Sequence, residues 1–153
     1  MRYPFALVLA LAAIVTTTLP TPVHAQEAEA NASSSATIEG YYTVKWGSFD
    51  EFIALYQKNH LPILEEAKAR GIITELRMDV PYTHLAGDVR WDLRVTMTYR
   101  SPDAALLADP ELTAVFDEVV ARLKAENPKY DEEEARRFSL LEEHWDVVVM
   151  PIF

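Results

Sequence analysis

Between positions 89 and 99 apolar and polar side chains alternate without a break, VRWDLRVTMTY. A two-residue period places one set on one side of an extended strand, so the chain must build a β-sheet with a packed face. Val89, Trp91, Leu93, Val95, Met97 and Tyr99 are assigned to that face, and Arg90, Asp92, Arg94, Thr96 and Thr98 to the other. Two further segments alternate in the same way. Over 38–46, Ile38, Gly40, Tyr42, Val44 and Trp46 share a side, and 72–80 forms the other segment. A fourth strand is expected over 144–153. Its centre, Val147-Val148-Val149-Met150, is apolar at every position and is therefore expected to be buried on both faces.

Helical patterns fill the gaps. Ser48-Phe49-Asp50-Glu51 has the spacing of a capping box, and Phe49, Phe52, Ile53, Tyr56, His60, Ile63, Leu64 and Ala67 follow at helical intervals. Pro62 has no N–H to give to a carbonyl one turn back, so it should kink or divide this helix near Lys58 and Asn59. Gly71 is the expected stop. Residues 81–88 read as a connection carrying Tyr82 and His84. Ser101-Pro102 and Asp109-Pro110 each pair a capping side chain with a first-position proline. The second opens a helix with an apolar stripe of Leu112, Val115, Phe116, Val119 and Leu123, ended by Asn127-Pro128. A third helical piece over 131–141 is acidic at its start and basic at Arg136-Arg137, as the helix dipole favours.

The order β-α-β-β-α-(α)-β is the ferredoxin-like split βαβ arrangement, an α+β fold in which one four-stranded antiparallel sheet carries helices on one face. Neither sheet face reads as fully solvated. A second copy of the sheet is the simplest cover for the face without helices, so a homodimer is expected.

The first 25 residues stand apart. Arg2 precedes the apolar run FALVLALAAIV at 5–15, which is shorter than the roughly 20 residues a membrane span needs. Val23-His24-Ala25 then forms a small-residue cleavage site ahead of Gln26. The expectation is a secretory signal peptide over 1–25, a flexible linker over 26–37 and a single domain over 38–153, secreted or periplasmic. No nucleic acid and, after cleavage, no membrane is expected as a partner. With 14 basic and 24 acidic residues the whole chain carries a net charge of −10, without a basic cluster for nucleic acid or anionic lipid. Cysteine is absent, so an exported form would hold together without disulfides.

The segment YYTVKWGSFDEFIALYQKNHLPILEEAKARG at 41–71 carries a strand, then Gly-x-x-x-x-Phe, then Tyr-x-x-x-His-x-Pro. In this it resembles the dimeric α/β-barrel superfamily, nearest to the EthD-like, NIPSNAP-type and antibiotic-biosynthesis-monooxygenase-like domains. The resemblance implies a homodimer whose sheets close into a barrel, and a pocket in each subunit between sheet and helices. Some such proteins oxidise, cyclise or isomerise aromatic compounds without a cofactor. Others break down haem with an Asn, a Trp and a helical His. Here the helical histidine falls in the first helix rather than the second, so haem is not expected, and no cofactor is.

His60, one turn after Tyr56 on the apolar stripe, is the leading catalytic candidate, with Tyr56 orienting it or the substrate. A histidine among apolar groups can titrate near neutral pH. Tyr42, Trp46, Tyr82, His84, Trp91, Phe116 and Trp145 are the candidate ligand-binding residues of one aromatic pocket. No His-x-x-x-His pair is present, so no metal site is expected, and there is no phosphate loop, Gly-x-Ser-x-Gly elbow or thiol nucleophile. The function expected is a cofactor-independent enzyme acting on a small aromatic or apolar molecule by oxidation, isomerisation or a lyase reaction. The alternative is a binding or interaction module built on the same pocket.

Overall fold

A computed structural model describes residues 35–149 apart from 84, 107 and 108. The leader, most of the linker, His84 and the last four residues of the expected fourth strand lie outside the described residues.

Four strands, β1 (Ala36–Val44), β2 (Ile73–Asp79), β3 (Leu93–Tyr99) and β4 (Leu141–Val149), form one antiparallel sheet in the order β2-β3-β1-β4. Among the described residues five α-helices accompany them: α1 (Phe49–Asn59), α2 (Leu61–Ala69), α3 (Pro102–Ala105), α4 (Pro110–Glu126) and α5 (Tyr130–Ser139). This is the expected ferredoxin-like arrangement. The core lies between sheet and helices. Val44, Leu93, Val95, Tyr99 and Ile73 face Phe52, Tyr56, Ile63, Val115 and Val119 across it.

Pro62 divides the first helical pattern where expected. It sits in the opening turn of α2, where its missing N–H removes no helical bond, and His60 is the joint between α1 and α2. Gly71 ends α2 at φ +71°, with Gly71 N–H on the Lys68 carbonyl and Ile72 N–H on that of Ala67. These paired bonds make a Schellman motif, sealed by the buried Ile72 and Ala67. Ser101 and Asp109 cap α3 and α4, accepting from the Ala104 and Glu111 amides at 3.2 and 2.9 Å. The capping box at Ser48 does not form. Ser48 is not extended (φ −107°, ψ 3°), its side chain makes no cap bond, and Glu51 is instead held by Arg136 of α5 at 2.7 and 2.8 Å.

Two strand expectations are corrected. The alternation over 89–99 becomes a strand only from Leu93. Gly87–Val89 is a 3-10 turn, and Val89 is exposed. Arg90 turns inward to reach Asp92, Glu142 and the Val44 carbonyl, and Asp92 accepts the Val44 N–H at 2.7 Å. Side-chain bonds thus add to the backbone bond from Asp92 N–H to the Tyr42 carbonyl at 2.8 Å, and Trp91 swings to the face opposite that expected, its edge on Tyr41 at 5.9 Å. The second correction concerns β4. Among the described residues it is an edge strand paired with β1 alone, and Val147, Val148 and Val149 are exposed rather than buried on both faces.

Candidate functional site

The β1–β4 register builds the site. Tyr42 lies opposite His144 and Gly40 opposite Asp146, all on the helix side of the sheet. The His144 ring stacks flat on Tyr42, centroids 4.1 Å apart and planes at 10°. Its Nδ1 is 2.9 Å from the Tyr41 carbonyl oxygen. A carbonyl can only accept, so Nδ1 carries the proton and Nε2, 3.9 Å from Asp146 Oδ2, holds a lone pair in the neutral ring. Gly40 makes room for this: a Cβ there would stand 2.9 Å from Asp146 Oδ1.

From the helix side α1 brings Tyr56 and His60 to the same place. Tyr56 meets Tyr42 edge-on at 5.6 Å, and His60 meets Tyr56 at 5.0 Å and 66°. Arg137 of α5, itself buried and clamped by Glu134 at 3.0 and 2.7 Å, holds its guanidinium 5.6 Å over the Tyr56 ring. Tyr99 donates to Met97 Sδ at 3.4 Å. The wholly buried Tyr56 hydroxyl makes no hydrogen bond of good geometry among the described residues; it interacts with the Tyr42 hydroxyl without completing one. An unpaired buried hydroxyl costs about 1–3 kcal/mol, so a fold that keeps one has a reason to look for.

Electrostatics follow from this crowding. Burial, then the Arg137 charge, pushes His60 down to about 4, so its imidazole is neutral at physiological pH; Glu134 opposes and His144 adds to the fall. The expectation that His60 titrates near neutrality is thereby overturned. Burial raises Tyr42 and raises Tyr56 well above the ordinary phenol value, and it lifts Tyr99 to about 12 with help from Asp146. The three phenols are hydrogen-bond donors throughout the working range.

The expected single aromatic pocket is divided. Tyr42, Tyr56 and His60 are brought together as expected. Trp46 and Tyr82, both exposed, and Trp91 line a separate hollow at the rim of the sheet with a volume of about 240 Å³. Trp145 lies on the opposite sheet face, stacked on Tyr41 at 5.3 Å and 7°. Phe116 packs against the core from α4. The cause is strand parity: Trp145 is one residue out of step with His144, and Trp46 stands beyond the end of β1. His144, Asp146, Tyr99 and Arg137 belong to the site but were not assigned to it from sequence. Starting β4 at Leu141 would have placed His144 and Asp146 on one face and Trp145 on the other. Among the described residues no three His, Asp or Glu side chains cluster to hold a metal ion, and no helix is long and apolar enough to cross a membrane.

No protein-family model matches the chain, and no curated protein matches it in sequence. It is similar in structure to a NIPSNAP family protein of Agrobacterium tumefaciens, at 16% identity over 77% of this chain and 86% of that one, TM-score 0.43. An antibiotic biosynthesis monooxygenase-like protein of Bacteroides thetaiotaomicron is similar at 10% identity over 80% and 93%, TM-score 0.45. A dimeric ferredoxin-like protein from an uncultured marine organism is similar at 7% identity over 82% and 96%, TM-score 0.47. The fold is set by the strand order and register given above; these likenesses add no residue-level correspondence.

Proposed function

We propose that the chain is a cofactor-independent enzyme that binds a small aromatic or apolar molecule beside β4, under α1 and α5, and moves a proton on it. The buried Tyr56, its ring against His60 on one side and against Tyr42, on which His144 stacks, on the other, carries this reading. His144 has the free lone pair to accept a proton at Nε2, and Asp146 would stabilise the imidazolium so formed. Tyr56, with the neutral ring of His60 against it, would donate to the oxygen on which negative charge develops. The hydroxyl is sealed from solvent, so a ligand reaches it by displacing a neighbouring side chain.

Calorimetric titration with small phenols and aromatic ketones tests this. Tyr56→Phe should weaken binding about tenfold while raising stability by about 1 kcal/mol, because an unpaired hydroxyl leaves the core. A hydroxyl of purely structural origin would give the stability gain with unchanged affinity. That outcome, or no binding at millimolar ligand, overturns the assignment. Binding without turnover is the second reading: the low His60 value takes that ring out of the base's role, which leaves the whole proton transfer to His144.

We further propose a homodimer through the sheet face that lacks helices. That face carries Tyr41, Trp91, Trp145, Val147 and Val149 around an ionic centre in which Arg94 pairs with Asp79 at 3.0 Å and Glu39 at 3.8 Å. Arg94 Nε and Thr96 Oγ1 on the same face are buried without partners, which a facing subunit could supply. Sedimentation at micromolar concentration should show a dimer, and Trp145→Glu a monomer of unchanged far-ultraviolet dichroism; a wild-type monomer refutes it. The leader pattern supports export with cleavage after Ala25, and the mature amino terminus should then be Gln26.

A further inference from the structure

Two hollows flank Trp46 at the end of the sheet, away from His60. One, of about 240 Å³, is walled by Trp46, Phe49, Val80, Tyr82, Leu85 and Trp91. It is an apolar, aromatic recess with room for a single ring and a short chain. The other, of about 410 Å³, is lined by Thr43, Asp88, Arg90, Glu142 and Glu143, with Trp46 as the shared wall. Among the described residues its one cation, Arg90, is fully committed. Arg90 bonds Asp92 at 2.8 and 3.3 Å, Glu142 at 2.9 Å and the Val44 carbonyl, and its guanidinium lies 3.9 Å from the Trp46 ring centre. The carboxylates of Asp88 and Glu143 enter no hydrogen bond or ion pair among the described residues.

We infer that the two hollows form one binding site for a small cationic amphiphile, an aryl-alkylammonium, with its ring in the aromatic recess and its ammonium group beside Asp88 and Glu143. The ring is recognised by area and by the faces of Trp91 and Tyr82. The head group is recognised by charge, in a chain whose net charge of −10 attracts cations from a distance. A carboxylate head would meet Asp88 and Glu143, and Arg90, the one guanidinium lining the hollow among the described residues, is already shared between two acids. Arg90 serves instead as a positioning residue. Its guanidinium lies against one face of the exposed Trp46 ring and so fixes the plane of that ring.

The test holds the ring constant and changes the head group. Wild-type protein is titrated with 2-phenylethylammonium, 2-phenylethanol and 3-phenylpropanoate, followed by tryptophan fluorescence and calorimetry. The ammonium should bind about tenfold more tightly than the alcohol at low salt, the carboxylate most weakly, and added salt should shrink the cation's advantage. The double variant Asp88→Asn, Glu143→Gln should bring ammonium and alcohol to about equal affinity without weakening the alcohol. Trp46→Ala should weaken all three about tenfold, since it removes the shared wall. All three substituted side chains are exposed, so dichroism should be unchanged. Equal binding of ammonium and alcohol by the wild type, preference for the carboxylate, no binding at millimolar probe, or indifference to Trp46→Ala would each overturn the inference. None of these outcomes bears on the His60 site.

Discussion

Replacing Arg90 with alanine lowers the free energy of unfolding by about 3–5 kcal/mol, whereas Glu142→Gln, which removes one of its partners, costs no more than about 0.5 kcal/mol. The contrast comes from burial. The Arg90 side chain is 8% exposed and Asp92 22%, while Glu142 is 40% exposed and can turn to water. Without the guanidinium, Asp92 keeps only the Val44 amide, the Val44 carbonyl loses its side-chain donor, and Trp46 loses the cation against its ring. The Arg90 backbone carbonyl still accepts from Thr43 Oγ1 at 2.8 Å, so the damage is confined to the end of β1 and β3. Urea melts of the two variants decide this. Losses of similar size would mean that the network acts as a loose surface cluster rather than as the pin of the sheet end.

Acidification should cost the wild type about 2–3 kcal/mol more stability than it costs His60→Gln between about pH 7.5 and pH 4.5. The folded ring is held at about 4, below the ordinary value of 6.5, chiefly by burial. Between those values the unfolded chain binds a proton that the folded one refuses, so stability is whole above about pH 6.5 and falls as pH drops toward 4. Carboxylates such as Glu51, Asp79, Asp109 and Glu133, lowered mainly by their Arg or Lys partners, also lose stabilisation in acid. They do so equally in both proteins, so the difference isolates His60. Parallel pH profiles would show the ring to be open to water.

The fold was legible because each element's local signal agreed with its neighbours. Pro62 divided a helix, Gly71 closed one, and Ser101 and Asp109 opened two, and all of these effects act over a few residues. What escaped was set by contacts far apart in sequence. Arg90 broke a flawless alternation because Asp92, Val44 and Glu142 offered it bonds that no strand pattern encodes. Glu51 left its cap for Arg136, 85 positions away. Three valines in a row read as an interior strand, yet strand order put them on an edge. For the site, Tyr42, Tyr56 and His60 were visible as a helical stripe facing a strand. His144 and Asp146 were not, since their membership depends on where β4 begins and which residue of β1 it meets. Pooling the tryptophans into one pocket failed for the same reason: adjacent strand residues face opposite ways.

The last strand lies beside the first, and β1 has β3 on its other flank. β1, one of the two inner strands, therefore stays half-paired until the carboxyl-terminal segment arrives, and closing the sheet brings together the two most distant parts of the domain. Loops of that length are closed late and slowly. Trimming the end of the chain should consequently strip one whole side from that inner strand, rather than merely shorten a margin.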